Sequence, residues 1–264
     1  MANTSSDTGM TMAPVGMAQR PRKRIQPLKA WRAIQALIAD KEDTAQVFKV
    51  IDALGGGADE RLFLRFANSP VGRQIIAEKR NILATLSDRD SLSRLPEGSL
   101  GRTYYEFMSG ENLTADGLVE ASEVVPDRDN LPEAARLYRN RQRDTHDLWH
   151  TSTGYGRDGL GELCLLAFTY AQSQNRGIGA IVLFGLRAVS RDLPKGIGIG
   201  RAVREGYRLG KQAKRLPEAD WEGMLAMPLA DVRKALNIGP LIHYRGALAA
   251  LQTYEAYQAQ NKAA

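Results

Sequence analysis

Apolar residues in this chain recur at spacings of three and four, and almost nowhere at spacings of two. Trp31, Ile34, Leu37 and Ile38 fall on one side of a helix that turns about 100° per residue, and so do Val47, Val50, Ile51 and Leu54. Half-buried strands need strict alternation, so the pattern predicts an all-α fold. No internal repeat divides the chain, and 264 residues, 43% of them hydrophobic, suffice to bury one sizeable core. The expectation is a single helical domain over residues 25–258 with a buried apolar centre, a disordered basic extension at 1–24 and a short tail at 259–264.

Punctuation residues place the helices. Gly55-Gly56-Gly57 stops the helix that begins near Asp43, and 59–68 forms the next. A further helix is expected over 69–86, with Ser69 before it and Pro70 in its first turn. Leu95-Pro96-Glu97-Gly98-Ser99 reads as a loop before an aromatic-rich helix at 100–109. A polar connection with Asp116-Gly117 and Pro126 leads to a helix that starts near Leu131-Pro132-Glu133 and runs through 139–144 into the histidine motif. Apolar residues are dense from Glu162 to Leu186, Arg201 to Lys214 reads as a basic surface helix, and 221–238 forms a closing helical unit. An Ala-rich helix at 246–258 ends the domain.

The formal charge is +6, and Arg20, Arg22, Lys23, Arg24, Lys29 and Arg32 crowd one short stretch. No nucleic-acid motif accompanies them, which argues against a nucleic-acid partner; a basic segment beside an anionic membrane and a solvated tail both remain open. Residues 1–19 hold no continuous apolar run, contain Asp7 and lack Arg, unlike a secretory signal or a mitochondrial presequence. The longest apolar stretch, Gly177 to Val189, is broken by Arg187 and falls short of the about 20 residues that span a bilayer. Cys164 stands alone, which excludes an intramolecular disulfide. These features point to a cytoplasmic protein attached peripherally to the inner face of the cytoplasmic membrane.

Chemistry concentrates in one place. Of three histidines, His146 and His150 lie four apart with Asp147 between them. On a helix His150 is rotated about 40° and Asp147 about 100° from His146, so all three share one face, and imidazoles at i and i+4 can chelate a metal. Asp147 is either a direct ligand or orients a histidine. Glu162 comes 12 residues after His150, about 18 Å along a continuous helix, too far to share an ion. Gly154, Gly156, Gly159 and Gly161 permit a turn that returns the chain, and Asp158 can cap the following helix. Two histidines with one or two carboxylates suit zinc, iron, manganese or cobalt. The competing reading is a capped helix whose histidines make ordinary hydrogen bonds.

His146-Asp147-Leu148-Trp149-His150, then eleven residues and Glu162, resembles the HDxxHx11E signature of the coenzyme Q biosynthesis protein 4 family. Leu95 to Arg102 is similar to that family's LPEGSLG stretch, and Trp221, Leu225, Pro228-Leu229, Arg233 and Leu236-Asn237-Ile238 to its closing unit. The resemblance covers roughly residues 28 to 238. It implies an all-helical fold, a divalent metal (zinc) held by His146, Asp147, His150 and Glu162, and a homodimer. It also implies an apolar site for a polyprenyl chain and other ubiquinone biosynthesis proteins as partners. The activity it implies is oxidative decarboxylation at ring carbon C1 of a polyprenylated 4-hydroxybenzoate intermediate, with hydroxyl replacing carboxyl. Zinc has no redox chemistry, so hydroxylation would also need oxygen and a redox metal or the ring's own electrons. The alternative is a non-catalytic organiser that holds prenylated intermediates and gathers the other enzymes.

Leu163–Phe168 and Ile178–Leu186, with Gly177, Gly179 and Gly185, are either the walls of that prenyl site or plain core. Gly196-Ile197-Gly198-Ile199-Gly200 follows no expected strand and lacks Lys-Ser/Thr, so it reads as a connection and not a nucleotide loop. His243 reads as structural, Tyr104-Tyr105 as packing, and Arg136, Arg139 and Arg143 as a solvated face or an anion receiver.

Overall fold

The computed structural model describes residues 24–40, 43–110, 131–191 and 193–263. The expected extension (apart from Arg24) and the polar connection around 116–126 lie outside the described residues. Within them the chain is all-α, as the three–four spacing requires. The helices are α1 Pro27–Ala39, α2 Thr44–Gly55, α3 Ala58–Asn68, α4 Pro70–Ala77, α5 Ile82–Ser87, α6 Arg89–Ser93 and α7 Leu100–Gly110. They continue with α8 Glu133–Asp144, α9 His146–Thr153, α10 Gly159–Ser173, α11 Arg176–Arg191, α12 Ile199–Gln212, α13 Trp221–Met224, α14 Leu229–Ala235 and α15 His243–Ala263.

Three expectations are corrected. The helix expected over 69–86 is two: Lys79 adopts φ +50° after α4, and Asn81 caps α5 by accepting from the Ala84 N–H. The helix expected to run through 139–144 into the histidine motif likewise divides, into α8 and α9 with Thr145 between them, while the closing unit consists of α13 and α14. The last helix begins at His243 and runs to Ala263, so no separate tail follows residue 258 among the described residues. Ser69 does cap α4, accepting from the Gly72 N–H at 2.9 Å.

Three apolar clusters hold the helices together. The largest joins α5, α6, α7, α9, α10, α12, α13, α14 and α15, with Leu148, Cys164, Phe168, Ala202, Leu216 and Trp221 almost wholly buried. A second joins α3, α4 and α8 around Phe63, Phe66 and Tyr138. The third joins α1, α2 and α11 around Ile34, Val50 and Ile181. Leu163 to Phe168 fill the core, and Gly177 lets α11 approach α2 so closely that a Cβ there would lie 2.5 Å from the Ile51 Cα.

The loop at 95–99 and the closing unit, 120 and more residues apart in sequence, meet in space. Leu100 N–H donates to the Met227 carbonyl, Gly101 N–H to Leu225 and Leu229 N–H to Gly98. Their junction contains an isolated bridge between Ser99 and Pro228. It seats the start of α7 and of α14 against the helix that carries the histidines. A bidentate ion pair from buried Arg141 to Glu222, at 2.6 and 2.7 Å, ties α8 to the same unit.

Candidate metal centre

The chain breaks its helix one residue before the histidines. Thr145 sits between α8 and α9 with its hydroxyl donating to the Arg141 carbonyl at 2.8 Å. α9 then runs only eight residues, and Asp147 to Thr153 are all buried. Its C-terminal carbonyls need partners, and Arg233 of α14 supplies them, donating to Ser152 at 2.8 Å and Thr151 at 3.3 Å. Gly154 ends the helix at φ +88°, a left-handed conformation that suits glycine.

The return to Glu162 uses the turn that the glycines allow. Asp158 caps α10, accepting from the Leu160 and Gly161 N–H groups at 3.1 and 2.9 Å. Gly161 is required by contact: a Cβ there would meet the Gly156 carbonyl oxygen at 2.1 Å. Tyr244 of α15 braces the turn from outside. Its hydroxyl donates to Asp158 at 2.7 Å and accepts from the Gly156 N–H at 2.9 Å. Tyr244 is in turn positioned by Glu205 of α12, whose buried carboxylate accepts from the backbone N–H groups of Ile242, His243 and Tyr244 at the start of α15.

The result brings the expected residues together. The Nε2 atoms of His146 and His150 are 3.1 Å apart, and Glu162 lies 3.7 Å from the first and 3.4 Å from the second. Ligands about 2.0–2.1 Å from one tetrahedral ion are about 3.3 Å from each other, so the two imidazoles and the two oxygens of the carboxylate, Oε2 facing His146 and Oε1 facing His150, stand near the spacing of such an ion's coordination edges. His146, Asp147 and His150 also form a set whose ligand atoms lie within 4.8 Å of one another. Asp147 Oδ1 is buried, has no hydrogen-bond partner and sits 3.6 Å from Arg157 Nη1. The residues therefore fit a divalent metal, with His146, His150 and Glu162 as the compact triad and Asp147 beside it.

The protein prepares the histidine for this work. His150 Nδ1 lies 3.1 Å from the Tyr155 carbonyl, to which only an Nδ1–H can donate, so in the neutral ring Nε2 keeps its lone pair toward the triad. Phe107 of α7 stacks on His150 at 6.0 Å between centroids. His150 is fully buried, whereas the side chains of His146 and Glu162 keep 34% and 33% exposure, so the triad opens to one side. Burial drives the His146 pKa down, but hydrogen bonding to Glu162 and its charge outweigh that, and the net direction is up. Burial likewise pushes Glu162 up and is outweighed by its interactions with the two histidines, leaving the carboxyl well below the usual range.

Phe107, Tyr155, Arg157, Glu205 and Tyr244 were not legible as site residues. Tyr155 and Arg157 lie within the gap of the motif, where only proximity marked them; Phe107, Glu205 and Tyr244 arrive from distant helices with no local signal. Arg143 is not on a solvated face: its side chain is 8% exposed and pairs with Asp144 at 2.6 Å. Tyr104 is buried, and His243 begins α15, consistent with packing and structural roles.

A family model described as coenzyme Q (ubiquinone) biosynthesis protein Coq4 matches residues 22–241. The mitochondrial ubiquinone biosynthesis protein COQ4 of Pyricularia oryzae is 30% identical over 174 residues, covering 65% of this chain and 54% of that protein. The mitochondrial COQ4 homolog of Aedes aegypti is 31% identical over 217 residues, covering 80% of this chain and 74% of that one. The chain thus spans about half the length of several of the curated relatives it matches. In fold it is similar to a crystal structure from Nostoc punctiforme PCC 73102, provisionally named a ubiquinone biosynthesis protein. The TM-score is 0.60 at 22% identity, covering 82% of this chain and 100% of that chain.

Proposed function

Because the chain belongs to the coenzyme Q (ubiquinone) biosynthesis protein Coq4 family, we propose that it serves ubiquinone biosynthesis as a metal-dependent enzyme. The reaction proposed is oxidative decarboxylation at C1 of a polyprenylated 4-hydroxybenzoate intermediate: the bond from C1 to the carboxyl breaks and CO2 leaves, while dioxygen, the oxidant, supplies the oxygen of the new hydroxyl and its second atom leaves as water with two electrons and two protons from an external reductant. The observation that carries the reading is the His146, His150 and Glu162 triad, set at coordination spacing and open on one side.

A divalent ion bound there supplies Lewis acidity toward the substrate's carboxylate or phenolate. His146, His150 and Glu162 hold it, and the Tyr155 carbonyl keeps His150 in the tautomer that can ligate. Arg157, part-exposed beside Asp147, adds positive charge that favours an anionic substrate. Phe107, stacked on His150, offers an apolar wall to the aromatic ring. Zinc is the family-based assignment; iron, manganese or cobalt would bring redox capacity to the hydroxylation. Other ubiquinone biosynthesis proteins, a second copy of the chain and a membrane surface are the proposed partners. Among the described residues no helix is long and apolar enough to cross a membrane, so the contact proposed is peripheral.

The second reading is a non-catalytic lipid-binding organiser. Asp147 favours it, since a fourth protein ligand would close the site. Metal analysis of the purified protein, joined to mass spectrometry of quinone precursors in a deletion strain, separates the two. The enzyme reading expects His150→Ala and Glu162→Ala to keep the fold, lose the metal and accumulate the C1-carboxylated precursor. Complementation by both variants would remove the catalytic reading, and metal loss with no change in precursors would favour the organiser.

A further inference from the structure

Helix α1 buries one side and leaves a second apolar side in water. Ala30, Ala33 and Ile34 face α2 and α11, while Leu28, Trp31 and Ile38 are 63%, 47% and 50% exposed. Trp31 meets the ring of Phe184 on α11 edge-on at 6.0 Å, and the next residue back, Leu183, is 65% exposed. With Ile25 at 40%, five of the seven large hydrophobics exposed among the described residues belong to α1, its lead-in or α11. Single exposed apolar residues are ordinary on a protein surface, but a concentration of them marks a contact.

Cations adjoin this strip. An open groove of about 520 Å³ between α1 and α2 is lined by Leu28, Lys29, Arg32 and Lys49. Arg24 and Arg187 are exposed nearby in sequence, the latter one turn from Leu183. Of the carboxylates on these helices, Asp52 faces Lys29 at 3.8 Å and Asp43 accepts from Gln46, while Asp40 ends α1. Apolar tips that include a tryptophan, next to a cluster of Lys and Arg, are complementary to a phospholipid boundary and its negative headgroups. A two-fold contact with a second copy would suit the apolar strip but would bring like charges of the groove together.

We propose that this face docks the protein on an anionic bilayer. Leu28, Trp31, Ile38 and Leu183 enter the boundary between headgroups and acyl chains, and Lys29, Arg32 and Lys49 meet lipid phosphates. This deepens the membrane partnership proposed above and does not depend on the reaction, because it is tested without substrate.

The test is co-sedimentation of the full chain with vesicles of phosphatidylcholine, with and without phosphatidylglycerol. Wild type is expected to prefer the anionic vesicles and to lose that preference as salt rises. Trp149 and Trp221 are buried, so vesicle binding should shift the emission of Trp31 to the blue, a readout that needs no variant. Trp31→Ser with Leu183→Ser should weaken binding to anionic vesicles about tenfold or more. Arg32→Glu with Lys49→Glu should remove the preference for them, since each cation at the surface multiplies binding about fivefold. Far-UV circular dichroism checks that both variants keep their helices. Helix α12 is the internal rival, with Arg201, Arg204, Arg208 and Lys211 exposed. Arg204→Glu with Arg208→Glu should leave binding unchanged. The proposal is overturned if only the α12 variant loses binding, or if Trp31 emission does not move. It is also overturned if the Trp31 and Leu183 changes dissociate a dimer while vesicle binding stays intact.

Discussion

Replacing Tyr244 by Phe tests whether the brace outside the turn holds the metal centre. The ring stays and only the hydroxyl is lost, so packing of this buried residue is preserved. Two hydrogen bonds disappear: the donation to Asp158 at 2.7 Å and the acceptance from Gly156 N–H at 2.9 Å. A bond to an ionised acceptor contributes about 1.5–3 kcal/mol and a neutral one about 1 kcal/mol. Both sites are only part-buried, and Asp158 keeps its cap on Leu160 and Gly161, so water recovers some of the loss. The expected cost is about 2–3 kcal/mol. At about 2–4 °C per kcal/mol for a domain of this size, Tm should fall by about 4–12 °C. The same turn carries Tyr155, whose carbonyl orients His150, and leads into Glu162. Loosening groups that support metal ligands weakens affinity about 10–100-fold, and the lower end is expected here because Tyr244 acts through the turn. Thermal unfolding of the metal-free protein and competition for zinc against a chelator measure the two effects separately. A lower Tm with unchanged zinc affinity would refute the coupling; no change in either would refute the brace itself.

Three further outcomes follow from the same geometry. Glu205→Gln removes the charge that accepts backbone N–H groups at the start of α15, and should cost about 2–3 kcal/mol, read by thermal unfolding and by faster hydrogen exchange at Tyr244. Gly161→Ala places a methyl against the Gly156 backbone and should cost about 3 kcal/mol or more and lower metal content; a variant with wild-type Tm and metal would contradict the required approach. Protons compete with the metal for His146, whose pKa in the metal-free protein is raised above its ordinary 6.5, so the apparent metal affinity should already be falling as the pH drops toward that value. Equilibrium dialysis against a metal buffer from about pH 8 to about pH 5 measures the apparent Kd, and a Kd that stays constant down to about pH 6 would contradict the direction.

Much of the fold was legible because helix formation is local. The three–four spacing identified the all-α class, and Ser69 with Pro70, the Gly55–Gly57 stop and Asp158 each acted on its own neighbours. Where the reading failed, the deciding interaction was equally local but weakly signalled. Lys79 turns the chain at positive φ without being glycine, and Thr145 interrupts a sequence that would otherwise continue as helix. Arg143 has the spacing of a surface charge, but its pairing with Asp144 holds it inside.

At the site, residue spacing is enough to identify the available ligands and to place His146, Asp147 and His150 on one helix face, since helical rotation follows from spacing alone. It also shows that Glu162 needs a turn to reach them. That the turn closes to 3.4 and 3.7 Å follows from packing, because it depends on Tyr244 and Glu205 from helices far along the chain. Tertiary contact likewise supplied Phe107 against His150, Arg233 on the end of α9 and the pairing of residues 98–101 with 225–229. Local spacing fixes the direction of a side chain on its own helix. Long-range packing fixes what stands opposite it.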